Sequence, residues 1–116
     1  MEIKEGASLT GLKIEMRKVL LIAEYIYQKL NYPLVVTSGT DGTHSAGSLH
    51  YYGYALDVRT RFLTEDEKKQ VVEQLRNDLQ SDYHVIEHST HIHVEYDKAK
   101  IKPRGIISGS ISFDTQ

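Results

Sequence analysis

The sequence contains no cysteine, so disulfide bonds make no contribution to its stability and its redox compartment cannot be inferred. Any metal site must therefore use histidine and carboxylate ligands. The sequence also lacks an apolar run long enough to cross a membrane. Its first ten residues, MEIKEGASLT, lack the apolar region of a secretory signal. We therefore expect no membrane partner and synthesis in the cytoplasm.

An excess of positive charge is absent as well. Lysine and arginine number 14 against 16 acidic residues, which gives a formal net charge of −2. No broad basic field is available to attract nucleic acid, so we expect no nucleic-acid partner. The 116 residues suffice for one modest core and contain no internal repeat or long linker. We expect one domain over residues 1–97 and an extension over residues 98–116 that is a tail or an edge strand.

The apolar pattern predicts two helices. Between Leu12 and Leu30 apolar residues recur every three or four positions, which is typical of a helix with one buried stripe, and Pro33 marks its end. Thr64 followed by Glu67 predicts a capping box at the start of the second helix. The inner face of that helix is expected to carry Val71, Val72, Leu75 and Leu79.

Four segments have the composition of strands: LVVTSG, YGYALDVRT, YHVIEH and HIHVEYD. The glycine-rich residues 39–48 are predicted to form a loop. The order is helix, strand, strand, helix, strand, strand. This order predicts an α+β fold in which the helices pack on one face of a mostly antiparallel sheet.

The polar side chains that carry chemistry share strand faces. In the last predicted strand, His91, His93 and Glu95 lie on one face because side chains alternate along a strand. In the earlier YGYALDVR strand, Asp57 and Arg59 share a face. Five of the six histidines fall in two short segments of the sequence. These histidines are His44, His50, His88, His91 and His93.

Imidazoles with a carboxylate suit Zn²⁺, and three protein ligands leave a fourth position for water, whose pKa falls to about 7 in such sites. A nearby base must accept the proton of that water, and Glu87 and His91 are the local candidates. The alternative is that these residues have structural roles. A single histidine on a strand is ordinarily a surface or hydrogen-bonded residue, and Asp57 has the alternatives of capping a turn or pairing with Arg59.

The stretch SLHYYGYALDVR resembles the S-x-H-x-x-G-x-A-x-D motif of the zinc D-Ala-D-Ala carboxypeptidase family. That family shares its fold with phage peptidoglycan endopeptidases and the hedgehog signalling domain. The later HIH resembles the family's strand His-x-His, and the likeness runs from about Leu9 to Asp97. It implies one Zn²⁺ ion held by His50, Asp57 and His93.

The resemblance also implies roles for other residues. Glu87, six residues before the last ligand as in the hedgehog branch, is expected to be the general base. His91 is expected to stabilise the oxyanion or orient the water. Ser48 and His44 are expected to contact substrate or line the site. The small residues Gly53 and Ala55 are expected to let the strand pass close beneath the ion.

One departure from the family concerns the substrate carbonyl. Many carboxypeptidase members carry an arginine soon after TSG, whereas Thr40 and Asp41 follow here. Losing one preorganised electrophile costs about a hundredfold or more in rate. We expect Arg59 or His91 to replace that arginine. If neither does, the chain would bind zinc and peptide without cutting quickly.

The resemblance predicts a monomeric zinc peptidase that hydrolyses an amide bond in peptidoglycan stem peptides, of carboxypeptidase or endopeptidase type. A phage origin agrees with the small size, and reaching a cell wall would require lysis, a holin or a virion. The alternatives are a catalytically weak or inactive zinc-binding module that binds peptide or protein partners, a metal-free structural domain, and a zinc hydrolase acting on other peptides. The aromatic pair Tyr51–Tyr52 either packs or walls a groove, and a groove is the preferred interpretation.

Overall fold

The first predicted helix, α1, runs from Ile14 to Lys29 in the computed structural model, which describes residues 1–41 and 47–101. The helix ends where Asn31 adopts a positive φ of 64° ahead of Pro33. In the part of the chain that the structure describes, no helix is both long and apolar enough to span a bilayer. The predicted buried stripe of α1 is confirmed by Met16, Val19, Ala23, Ile26 and Tyr27.

The second helix, α2, spans Glu65–Leu79, and its predicted capping box is present. The Thr64 hydroxyl accepts a hydrogen bond from the Glu67 amide at 3.1 Å, and the Glu67 carboxylate accepts one from the Thr64 amide at 2.9 Å. Two amide groups at the helix start are thereby satisfied. The predicted inner face is confirmed, since Val71, Val72, Leu75 and Leu79 are buried.

Five strands form one sheet in the spatial order β1-β2-β3-β5-β4. Strands β1 and β2 pair in parallel, and the other neighbours pair antiparallel. The fold is therefore a single α+β domain with a mostly antiparallel sheet. The strands are β1 (Glu2–Ile3), β2 (Val35–Ser38), β3 (Ala55–Arg59), β4 (Tyr83–Glu87) and β5 (His91–Tyr96).

Both helices cover the same face of the sheet. The side chains of Leu56, Val58, Ile92 and Val94 on the two central strands join the buried helix residues in one apolar core. The Tyr27 hydroxyl of α1 donates a hydrogen bond to the Arg59 carbonyl at 2.8 Å, which ties helix to sheet. No helix of the described residues covers the opposite face, and polar side chains on the same two strands are partly exposed there.

Strand β1 was not among the predicted strands. It contains two exposed residues, Glu2 and Ile3, and carries no hydrophobic alternation. Backbone hydrogen bonds define it instead, from the Glu2 amide to the Leu34 carbonyl at 2.7 Å and from the Lys4 amide to the Val36 carbonyl at 2.9 Å. Such pairing is set by tertiary structure and leaves no local pattern in the sequence.

Strand β5 ends at Tyr96, one residue before the predicted boundary, which stays a prediction. A short 3₁₀ helix, Lys98–Lys100, follows, and the Asp97 carboxylate caps it by accepting a hydrogen bond from the Ala99 amide at 3.0 Å. The rest of the predicted extension, residues 102–116, lies outside the described residues.

Candidate metal centre

The pairing of β3 with β5 brings two of the predicted ligands together. Asp57 and His93 are directly opposite each other in the antiparallel register, so their side chains leave the sheet on the same face. His50 reaches the same place from the turn before β3 and is 5% exposed. The turn is fixed by hydrogen bonds from the Gly53 amide to the His50 carbonyl and from the Tyr54 amide to the Leu49 carbonyl.

Two of the three distances between donor atoms match the spacing that a small tetrahedral ion requires, and the third, between His93 Nδ1 and Asp57 Oδ1, is shorter. His93 Nδ1 lies 2.9 Å from Asp57 Oδ1 and 3.3 Å from His50 Nε2, and His50 Nε2 lies 3.4 Å from Asp57 Oδ1. Zinc bonds of about 2.0–2.2 Å in a tetrahedron place neighbouring donors about 3.3–3.6 Å apart. The residues present therefore fit one metal ion with little movement.

Both imidazoles are oriented by partners on their other nitrogen. His50 Nδ1 donates to the Gly39 carbonyl oxygen at 2.8 Å, which directs Nε2 toward Asp57 and His93. His93 Nε2 donates to Glu95 Oε1 at 2.8 Å, which leaves Nδ1 for the metal. Partners of this kind fix the tautomer and raise the basicity of metal-binding histidines. The contacts of Gly39 and Glu95 were not predicted, although Glu95 shares the strand face of His93.

The charges of the metal-free cluster are mutually stabilised. Burial favours the neutral carboxyl of Asp57, but hydrogen bonds from His50 and His93 outweigh it and hold the pKa of Asp57 well below its usual value. Burial disfavours the charged imidazole of His93, but hydrogen bonds to Asp57 and Glu95 prevail and raise its pKa. In the metal-free chain, the proton shared by His93 Nδ1 and Asp57 Oδ1 therefore lies where a metal ion would bind.

One side of the cluster faces outward. The side chains of Asp57 and His93 are 16% and 17% exposed, respectively, and His50 closes the inner side. Among the described residues, the histidine and acidic groups that converge closely enough to hold an ion are these three, His50, Asp57 and His93. Solvent therefore reaches two of the three donor residues, Asp57 and His93.

His91 lies next to the cluster. Its Nε2 is 3.8 Å from Asp57 Oδ2, and its ring stacks on that of His88 with centroids 4.6 Å apart. Burial, the largest cause, and repulsion from neighbouring imidazoles lower the pKa of His91 despite the attraction of Asp57. The lowered pKa keeps this imidazole neutral at neutral pH. The stacking of His88 was not predicted, although that residue falls in the second histidine segment.

Glu87 does not share this face of the sheet. It is opposite Ile92 in the register of β4 and β5, and Ile92 belongs to the core face. The Glu87 carboxylate lies 3.8 Å from Nζ of Lys68 on α2. The geometry therefore does not support Glu87 as the general base, and this prediction is revised. Alternation along YHVIEH, which groups Glu87 with Tyr83 and Val85, was a signal for this orientation.

The other predicted site residues have varied positions. The Ser48 hydroxyl accepts a hydrogen bond from the His50 amide at 3.3 Å, so it supports the turn that presents His50. Arg59 is opposite His91 in the register and two residues beyond Asp57 on the same face. Its role toward a substrate stays a prediction. The predicted site residue His44 lies outside the described residues.

The small residue Gly53 has a different role from the one predicted. Its φ is 78°, and a side chain there would collide with the carbonyl oxygen of Gly11. The amide of Lys13 also donates to the Gly53 carbonyl at 3.0 Å. Gly53 therefore permits close contact between the turn and the N-terminal segment. Ala55, the other small residue, is fully buried in β3.

No protein-family model matches this chain, and no curated protein matches it. What is known of the site comes from its geometry. It is a possible metal-binding group, made up of His50, Asp57 and His93, on the open face of an α+β domain. Two histidines, His88 and His91, lie beside it.

Proposed function

We propose that this chain is a zinc-dependent peptidase that hydrolyses an amide bond in peptidoglycan stem peptides. The observation that carries the proposal is the spacing of His50 Nε2, Asp57 Oδ1 and His93 Nδ1, with one side of the cluster facing outward. Two imidazole nitrogens with one carboxylate oxygen favour zinc over calcium or magnesium, which prefer oxygen ligands. The motif resemblance in SLHYYGYALDVR and HIH supplies the substrate class.

The proposal assigns a catalytic role to the three metal ligands and to His91. Zinc held by the three donors would polarise a substrate carbonyl and lower the pKa of a water molecule. His91 is the proposed proton acceptor for the attacking water, because its lowered pKa keeps the imidazole neutral and it lies beside Asp57. The same imidazole would deliver the proton to the leaving amine nitrogen.

The oxyanion partner is proposed to be Arg59. It is the cationic side chain on the strand face of Asp57, two residues further along β3. The positions where many carboxypeptidases carry an arginine have local roles here. The Thr40 hydroxyl donates to the Thr10 carbonyl at 2.7 Å, and Asp41 Oδ1 accepts from the amides of Ser8 and Gly39 at 2.9 and 2.7 Å.

That loop arrangement also favours a second candidate, a zinc-binding module of the same fold that binds peptide without rapid cleavage. If Arg59 does not reach the carbonyl oxygen, the site lacks a preorganised electrophile other than the metal, and the rate falls by about a hundredfold or more. The two candidates predict the same metal affinity and differ only in turnover.

Hydrolysis of purified muropeptides, followed by chromatography and mass spectrometry, tests the proposal. We expect product with the zinc-loaded chain, none after chelation, and recovery when zinc is returned. His91→Gln should retain zinc and lose about 10²–10⁴-fold in kcat. Zinc binding without turnover of any defined muropeptide would favour the second candidate, and full activity in His91→Gln would remove His91 as the proton acceptor.

A further inference from the structure

A groove of about 830 Å³ lies beside the metal centre and is separate from it. Three tyrosines and two lysines contribute to its lining, and none of its described lining residues is acidic. The volume falls within the range of about 300–1,000 Å³ that is typical of ligand sites. The side chains concerned are Lys13, Lys98, Tyr51, Tyr52 and Tyr54.

Hydrogen bonds hold the walls of the groove in place. The Thr40 hydroxyl joins its loop to the Thr10 carbonyl at 2.7 Å. The Lys13 amide donates to the Gly53 carbonyl at 3.0 Å, and the Tyr54 amide donates to the Leu49 carbonyl at 2.9 Å. A ligand would therefore bind to a preformed surface, and less of the binding free energy would be lost to ordering loops.

One of the two ammonium groups is positioned over an aromatic ring, and the other lies near the end of the strand that carries a second ring. Lys13 Nζ lies 5.9 Å from the centroid of the Tyr54 ring, a cation–π distance that restrains the lysine. The Tyr54 ring stacks on Tyr96 at 5.8 Å, and Lys98 follows two residues later in the 3₁₀ helix. Tyr52 is 58% exposed, so a flat aromatic surface faces solvent at the rim.

We propose that this groove binds an acidic segment of an extended peptide. Two ammonium groups with no carboxylate among the described lining residues attract carboxylates, and tyrosine rings pack against peptide planes and methylene groups. The groove lies next to the ligand-bearing chain, because the lining residue Leu49 immediately precedes His50 and the lining residue Thr40 follows Gly39. The claim that the bound peptide is a substrate rests on the proposed function, whereas the binding does not.

Calorimetric titration of the full chain with three capped heptapeptides tests the proposal. Each peptide alternates alanine with one polar residue, which is glutamate, glutamine or lysine. We expect the glutamate peptide to bind about fivefold to tenfold more tightly than the glutamine peptide at 0.15 M salt and the lysine peptide to show no binding. A linear oligomer of N-acetylglucosamine serves as the uncharged saccharide probe.

Variants identify the groove as the binding surface. The double change Lys13→Gln and Lys98→Gln should remove the preference for glutamate over glutamine. Lys69→Gln, an exposed residue on α2 outside the groove, is the matched control and should retain it. Because Lys13 packs on Tyr54, circular dichroism checks that the double variant is folded. The single change Lys98→Gln, at an exposed position, should weaken glutamate-peptide binding about threefold.

Equal affinity for the glutamate and glutamine peptides, an unchanged preference in the lysine variants, or binding of the saccharide in preference to the acidic peptide would each overturn the proposal. Repeating the titration with His93→Ala separates it from the proposed function. Acidic-peptide binding that survives in this variant supports the groove even if no muropeptide is cleaved. Zinc-dependent cleavage without acidic-peptide binding would leave the peptidase proposal and eliminate the groove.

Discussion

The two faces of strand β5 have opposite compositions. Ile92 and Val94 are fully buried under the helices, whereas His91, His93 and Glu95 reach the open face of the same sheet. Packing on one face fixes the backbone, and the other face is thereby free to hold groups that would be costly to bury. The comparison teaches that one central strand can contribute to both the core and the chemistry, while the turn before β3 supplies the third donor, His50.

The largest expected effect on metal binding is on the open face. His50→Ala should abolish tight zinc binding, because it removes one of three donors while Asp57 and His93 alone cannot enclose the ion. The wild-type chain should gain about 2.7 kcal/mol of unfolding free energy at a zinc concentration of 100 times Kd, and the variant should gain almost none. Thermal melts with and without zinc measure the difference; an equal zinc-induced rise in Tm would contradict the assignment.

On the core face, Ile92→Ala should lower the unfolding free energy by about 2–5 kcal/mol. Ile92 is fully buried in the apolar cluster between the helices and the sheet, so truncation removes apolar contacts and leaves a cavity. Urea unfolding of the metal-free chain measures this loss. A change below about 1 kcal/mol would show that the core is not the main source of stability.

Glu95→Gln should weaken zinc binding by about 10–100-fold while leaving all three ligands in place. The carboxylate accepts the hydrogen bond from His93 Nε2 and increases the basicity of Nδ1, whereas an amide does so less strongly. Competition with a chromophoric chelator measures the affinity. Glu73→Gln, an exposed change on α2, is the control, and an equal affinity in the two variants would eliminate the role of Glu95.

Zinc affinity should fall as the pH is lowered through the pKa of His93. Hydrogen bonds to Asp57 and Glu95 raise this pKa in the metal-free chain, so the proton competes with zinc from a higher pH than for an ordinary histidine. The depressed pKa of Asp57 keeps its carboxylate ionised over the same range. Below that pKa, each proton that zinc must displace lowers the zinc affinity by about tenfold for every unit that the pH falls. A pH-independent affinity between pH 5 and 8 would contradict this account.

The smallest expected effect comes from Glu87→Gln, which tests the assignment of Glu87 to the helix side of the sheet. The change weakens the 3.8 Å ion pair with Lys68, and because the Glu87 side chain is 34% exposed, it should cost about 1 kcal/mol or less. Muropeptide turnover should stay within a factor of about two of wild type. Loss of turnover with zinc retained would restore Glu87 as the base.

Local sequence patterns predicted the parts of the fold that depend on neighbouring residues. The capping box at Thr64 and the alternation of His93 with Val94 are short-range features, and both are present. The convergence of His50 with Asp57 and His93 was predicted from the motif resemblance. Period-two alternation along YHVIEH indicates that Glu87 faces the helices, whereas its spacing of six residues from His93, as in the hedgehog branch, predicts a place in the site.

Other features depend on contacts that no local pattern encodes. Lys68 is 5% exposed, and its Nζ donates to the Ser89 carbonyl at 3.0 Å, joining α2 to the turn between β4 and β5. The Gly39 carbonyl that orients His50 is a backbone group, and its position depends on the loop after β2. These contacts link residues distant in sequence, so they follow only from the assembled fold.

The most direct test of the central claim is a crystal structure of the full chain grown with zinc, with the ion located by anomalous scattering. The account predicts one ion per chain, about 2.0–2.2 Å from His50 Nε2, Asp57 Oδ1 and His93 Nδ1, with a water molecule as the fourth ligand. An ion bound elsewhere, or a fourth protein ligand that closes the coordination shell, would contradict it.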